Sequence, residues 1–137
     1  MKLILQNSTL IFKDTGIVPG TYDTREFCKN AGAWSVAQAT PSFIDTQNWG
    51  YSDFVEVEHL SDVNVCCRAY NDLPGILYFS AKDMSSYLGC EDENGGDAPL
   101  GMRHFTTFNI PAGAKYAIIQ SNFVAPNYVS GSTITLV

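Results

Sequence analysis

Flat aromatic side chains alternate with polar ones in the run Trp49-Gly-Tyr-Ser-Asp-Phe-Val-Glu-Val57, and that mixture of residue types suits the recognition of sugars. The apolar C–H faces of a sugar ring stack on aromatic rings, while Asp, Asn and Gln side chains satisfy its hydroxyl groups and set its orientation. Trp49, Tyr51 and Asp53, with Tyr78 and Tyr87 further along, are the candidate ligand-binding residues; Trp34, Tyr70 and Tyr128 are further aromatics beside loops. Each has a plainer alternative. A tryptophan fills a core or caps its open end, and an aspartate at a strand start accepts backbone N–H groups in a turn.

Other chemistry is sparse. In the acidic run Glu91-Asp-Glu-Asn-Gly-Gly-Asp97, the side chains of Asp92, Asn94 and Asp97 offer hard oxygens and the paired glycines permit a tight wrap, so these are the candidate calcium ligands. The run lacks the final bidentate carboxylate and the flanking helices of an EF-hand. No other cofactor is expected. His59 and His104 sit in no His-Glu-x-x-His helix and no Gly-x-Ser-x-Gly elbow, and no glycine loop is built to cradle a phosphate, so the chain is expected not to be an enzyme. Cys28, Cys66, Cys67 and Cys90 match no zinc-binding spacing, and the adjacent pair must point to opposite faces of a strand. They read as buried thiols, with a disulfide between two of the four as the alternative.

These residues need a β framework. Segments 3–5 with 10–12, 33–37, 54–58, 63–70, 76–80, 105–110, 116–122 and 133–137 carry short apolar blocks or period-two alternation, about eight strands, and no window holds a helical stripe. Within 63–70, Val63, Val65, Cys67 and Ala69 share the inward face. In the last strand Ile134 and Leu136 point in while Thr133 and Thr135 point out, and that strand is expected to pair with an N-terminal one. Glu56 and Glu58 form a solvated face opposite Val55 and Val57. Turns are expected at 71–75 and at Pro111-Ala-Gly113, where proline fixes φ and glycine accepts positive φ. Segments 14–24 and 86–103 read as surface loops, followed in the first case by a short helical turn over 24–29 capped by Thr24.

Length, charge and hydropathy narrow the partners. A chain of 137 residues fits one domain, residues 1–137, and a domain of this size buries roughly two-thirds of its unfolded surface. Fourteen acidic and eight basic side chains give a formal charge of −6, with the cations scattered singly, so neither nucleic acid nor an anionic membrane surface is an expected partner. The opening Met1-Lys-Leu-Ile-Leu is cut short by Gln6, Asn7 and Ser8 and reads as a strand, not a leader. No segment approaches the roughly 18 apolar residues of a membrane span, and a soluble chain is expected.

The order of these blocks resembles a family. An aromatic and Ser-Asp-aromatic-Val-x-Val block, then a strand ending Leu77-Tyr78-Phe79-Ser80, then Ile110-Pro-Ala-Gly-Ala-Lys-Tyr116, is similar to the carbohydrate-binding-like jelly rolls of phage fibre and tail proteins and of bacterial surface proteins. The resemblance covers roughly residues 45–137, and it treats the Ser-Asp-aromatic segment as architecture. It implies an all-β, antiparallel β-sandwich of jelly-roll topology. It further implies a non-catalytic module in a virion head or tail fibre, assembled in the bacterial cytoplasm, that adheres to bacterial surface glycans; a bacterial cell surface is the alternative location. Weak sites of this kind gain from a homo-oligomer such as a fibre trimer. Since some members are purely structural, the alternative function is a decoration or fibre protein that contacts other virion proteins, mediates oligomerisation and binds no sugar.

Overall fold

The computed structural model describes residues 4–6, 9–13, 16–47, 49–61, 63–67, 73–90, 103–107, 110–121 and 133–137. Its regular structure is all β apart from 3₁₀ turns at Thr24–Glu26 and Met84–Ser86. The strands are β1 (Ile4–Gln6), β2 (Thr9–Lys13), β3 (Gly16–Ile17), β4 (Gly20–Asp23), β5 (Asn30–Ala31), β6 (Ala33–Ser35), β7 (Ser42–Ile44), β8 (Gly50–Tyr51), β9 (Val55–Glu56), β10 (Val63–Cys67), β11 (Ile76–Phe79), β12 (Tyr87–Cys90), β13 (Arg103–Thr107), β14 (Tyr116–Ser121) and β15 (Thr133–Leu136). All described pairings are antiparallel. One sheet has the order β13-β10-β15-β4, and a larger one has β12-β11-β14-β8-β5 with β9 also on β14. A β1-β2-β3 sheet and a β6-β7 hairpin complete the described set. No described helix is long and apolar enough to cross a membrane.

β11 and β14 lie inside the larger sheet and are covered on both faces. Ile76, Tyr78, Ala117 and Ile119 share a core with Tyr22 of β4 and Leu136 of β15, so the two large sheets enclose one interior as the layers of a sandwich. Leu77, Phe79 and Ile118 form a second cluster on the other face, covered by Trp34, Val36, Tyr51, Phe54, Met84, Tyr87 and Tyr116. A strand buried on both faces reads as an unbroken apolar run, as Ile-Leu-Tyr-Phe does, whereas a half-exposed one alternates. Val55 and Val57 are buried and Glu56 and Glu58 exposed, the expected alternation. Each fully buried aliphatic or aromatic side chain contributes roughly 1.5–3 kcal/mol.

Two side chains replace backbone where the sheet is interrupted. Between β8 and β9 the Ser52 Oγ accepts the Ile119 N–H (2.9 Å) while the Ser52 N–H donates to the Ile119 carbonyl (2.8 Å), so residues 50–56 follow β14 as one interrupted strand. Gln120, fully buried, accepts from the Trp34 N–H (2.7 Å) and donates to the carbonyls of Trp34 and Pro74 (2.9 Å each). It clips the β6-β7 hairpin and residue 74 to β14. At Gly32, with φ +122°, an added Cβ would lie 2.5 Å from the Phe43 ring, so a bare backbone lets the hairpin close down.

Several details depart from the sequence expectations. The described residues form fifteen strand segments, many only two or three residues long, instead of about eight strands. The expected loop 14–24 holds β3 and β4, and the loop expected over 86–103 begins with β12 and ends at the start of β13. β15 does pair with a strand near the N-terminus, but that strand is β4, inside the segment expected to be a loop, and its other neighbour is β10. Leu136 is buried and Thr133 and Thr135 partly exposed, as alternation requires; the inward side chains of 63–70 and that of Ile134 lie outside the described set. The cap of the Thr24–Glu26 turn is Asp23, not Thr24. Asp23 Oδ1 accepts from the Arg25 N–H (2.9 Å) and Glu26 Oε2 accepts from the Asp23 N–H (3.0 Å), a capping box that a buried Thr24 cannot supply. The turn after Pro111 forms as expected, with the Ala114 N–H donating to the Pro111 carbonyl (3.0 Å) and Gly113 at φ +84°. Cys28 is buried, its thiol donating to the Ile119 carbonyl (3.4 Å), and Cys90 is partly buried.

The β11-β12 connection carries a titratable cap. Asp83 accepts from the Ser85 hydroxyl and from the Ser85 N–H (2.7 Å), and the hydroxyl first, then the backbone bonds, hold its carboxyl below the usual carboxylate range. A depressed folded pKa means that this stabilisation is present above the unfolded value of about 3.9 and is lost as pH falls through the lower folded value. Wild type is therefore expected to exceed Asp83→Asn in stability at neutral pH, with the gap closing in acid. Urea unfolding of both proteins across that pH range checks this, and a gap independent of pH would rule it out.

Candidate functional site

A cleft of about 180 Å3 opens between the capped turn and the β8-β9 junction, lined by Glu26, Phe27, Lys29, Ser52, Asp53, Phe54 and Val55. The pairing of Asn30 with Tyr51 and of Ala31 with Gly50 brings the two segments together from distant parts of the chain. Asn30 then ties them: its Nδ2 donates to the Tyr51 carbonyl (3.1 Å) and to Asp53 Oδ1 (3.0 Å). Capping holds Glu26 in place, and a bidentate Arg25–Asp23 contact (2.9 and 3.1 Å) braces the same turn.

Below the turn, Phe27 meets Tyr22 edge-on with ring centroids 5.2 Å apart, and the Tyr22 hydroxyl donates to the Val18 carbonyl. Burial, and then the nearby Glu26 carboxylate, push the Tyr22 pKa up, so it remains a neutral donor. The wall is thus apolar and fixed, formed by buried Phe27 and Val55 with half-buried Phe54, while Asp53 and Lys29 stand exposed at the opening. Carboxylate oxygens accept hydroxyl protons and the lysine ammonium donates to hydroxyl oxygens, so the cleft can take a polyol with one apolar face.

Of the candidate residues named from sequence, Asp53 lines this cleft. Tyr51 is joined to it through Asn30, but its ring packs outside, at 5.9 Å from Trp34 and 6.0 Å from Phe43. Tyr87 lies farther along the same outer cluster, 5.7 Å from Phe79, which in turn meets Phe54 at 5.1 Å. Trp49 and Tyr78 belong to the core between the sheets, with 6 % and 0 % of their surfaces exposed. That burial takes both off any ligand-contacting surface: the strand carrying Tyr78 is covered on both sides, leaving no outward face.

Asp92, Asn94 and Asp97 lie outside the described residues, as do Tyr70 and Tyr128. Among the described residues no group of three or more His, Cys, Asp or Glu side chains is placed to hold a metal ion. Glu26, Phe27, Lys29 and Phe54 are the lining residues that sequence reasoning passed over. The Asp23-x-x-Glu26 spacing of a capping box was the available signal for the turn, and nothing local signals that this turn meets residue 53. No protein-family model, curated protein or solved structure matches the chain.

Proposed function

We propose that this chain is a non-catalytic, jelly-roll carbohydrate-binding module that holds one residue of a bacterial surface glycan in the Asp53 cleft, as part of a phage head or tail fibre. The observation that carries the binding is the cleft itself, with Asp53, Glu26 and Lys29 around a wall containing Phe54. At about 180 Å3 it falls short of the roughly 300–1,000 Å3 of drug-sized sites, which suits a single sugar ring and a weak contact. An oligomer, such as a fibre trimer, multiplies weak contacts into adhesion through effective concentration.

Jelly-roll topology is supported by the order of the strands. The chain places β4 in the smaller sheet, β8 and β9 in the larger, β10 in the smaller, β11 and β12 in the larger, then β13, β14 and β15 alternately. Counting β8 and β9 as halves of one interrupted strand, each layer then holds four, apart from the short edge strand β5. The virion setting is supported by the sequence resemblance.

Asp53 is exposed and makes a single described side-chain contact, to Asn30, so Asp53→Ala is expected to leave the unfolding midpoint nearly unchanged. Losing a charged acceptor is expected to weaken glycan binding about tenfold or more. Binding of host polysaccharide fragments by calorimetry, beside thermal unfolding, checks both parts; unchanged affinity would remove the cleft from the account. A second proposal, a structural decoration protein with no sugar site, is favoured by Phe43 and Ile44, 47 % and 39 % exposed on β7. Light scattering that shows a stable oligomer retaining no glycan would select it.

A further inference from the structure

A larger cavity, of about 380 Å3, lies between the turn after β9 and the turn before β14, lined by Glu58, Leu60, Ser61, Ile110, Pro111, Gly113, Ala114 and Lys115. It shares no lining residue with the Asp53 cleft. Its walls are built in advance. The Leu60 N–H donates to the Val57 carbonyl (2.9 Å), the Ala114 N–H to the Pro111 carbonyl (3.0 Å), and the Val57 N–H to the Lys115 carbonyl (2.9 Å), which joins one turn to the other. The Ser61 N–H closes the outer side on the Val137 carbonyl (2.8 Å).

The floor is apolar: Leu60 and Ala114 are buried, Ile110 and Pro111 partly so. The rim carries one charge of each sign. Glu58 and Lys115 are exposed, and among the described residues neither has an ion-pair partner. A purely anionic ligand would meet Glu58 and a purely cationic one Lys115, whereas a ligand bearing both charges satisfies the two at once. A sugar stacks its C–H face best on a flat aromatic ring, and this lining holds none, whereas Leu60, Ile110 and Ala114 suit an aliphatic chain.

We propose that this cavity binds a small zwitterion with an aliphatic body, the chemical class of a free amino acid of leucine size. The ligand ammonium meets Glu58, its carboxylate meets Lys115, and its side chain covers Leu60, Ile110 and Ala114. The cavity volume falls within the roughly 300–1,000 Å3 of small-molecule sites. This assignment stands independently of the glycan proposal.

The test is an amide NMR titration of the full chain with leucine, N-acetyl-leucine and leucinamide. Leucine is expected to shift the amides of Leu60, Ser61 and Ala114, and the two singly charged analogues to bind about tenfold or more weakly, because each leaves one rim charge unmatched. Glu58→Gln should erase the preference for leucine over N-acetyl-leucine, and Lys115→Met the preference over leucinamide. Both positions are exposed, so the fold is retained. No shift at tens of millimolar ligand, where a site of even millimolar affinity is mostly filled, or equal shifts with all three compounds, would overturn the assignment.

Discussion

Replacing Gln120 with methionine is expected to lower the free energy of unfolding by about 3 kcal/mol or more, since each buried polar group left without a partner costs roughly 1–3 kcal/mol. The Gln120 amide serves three backbone groups at once: the Trp34 N–H, the Trp34 carbonyl and the Pro74 carbonyl. Methionine keeps the length and most of the volume, so packing changes little and the lost hydrogen bonds dominate. Trp34 is also the residue through which the β6-β7 hairpin covers Leu77, Phe79 and Ile118. Loss of the clip should therefore speed exchange of the Trp34 amide beyond what the global loss of stability explains. Urea unfolding with hydrogen exchange separates the two effects. A change below about 1 kcal/mol, within the range of many benign substitutions, would mean that ring packing alone holds the hairpin.

Tyr78→Ala is expected to cost about 3–5 kcal/mol, the range for truncating a large aromatic in a close-packed core. Tyr78 has no exposed surface and sits among Ile76, Ala117 and Ile119, facing Tyr22 and Leu136 of the other sheet through the shared core. Its loss leaves a cavity in the middle of the sandwich, where the paired strands on either side limit collapse. The effect falls on stability, and the affinity of the molecules that remain folded stays at the wild-type value. Asp53→Ala is expected to have the opposite signature, with binding weakened and stability kept. Chemical unfolding and calorimetry on both variants make the comparison; weakened binding by folded Tyr78→Ala at undiminished stability would return Tyr78 to a ligand site.

The contrast shows what the residue pattern carried and what it hid. Glu56 and Glu58 against Val55 and Val57 announced a half-exposed strand, and Pro111 with Gly113 announced a turn, because both signals are local. Ile76 to Phe79 also had a local signature, an unbroken apolar run, which implies cover on both faces and hence a buried Tyr78. β5 and β8 are two residues long, too short for any period to register, yet their pairing sets residue 29 beside residue 53. Half of the cleft was therefore illegible: Asp53 stood out beside its aromatics, while Glu26 and Lys29 reach it only through tertiary pairing. The resemblance treats the whole Ser-Asp-aromatic segment as architecture; within it the Ser52 hydroxyl stands in for a missing ladder bond to Ile119, while Asp53 lines the cleft.

The position of the cleft also bears on assembly. Phe43 and Ile44 lie on β7, whereas the cleft is formed by the turn after β4 and the β8-β9 junction, so the proposed glycan contact and a subunit contact through β7 would use different residues. A fibre that uses one set for assembly and repeats the other around its axis would gain avidity without strengthening any single site.

The most direct test of the Asp53 cleft as a glycan site is amide NMR mapping of the intact chain titrated with oligosaccharides from a bacterial surface polysaccharide. Saturable shifts centred on Lys29, Asp53 and Phe54 are expected, needing about tenfold or more saccharide in Asp53→Ala, with the amides of Trp49 and Tyr78 unmoved. Shifts confined to another surface, or a spectrum unchanged at saturating saccharide, would contradict it.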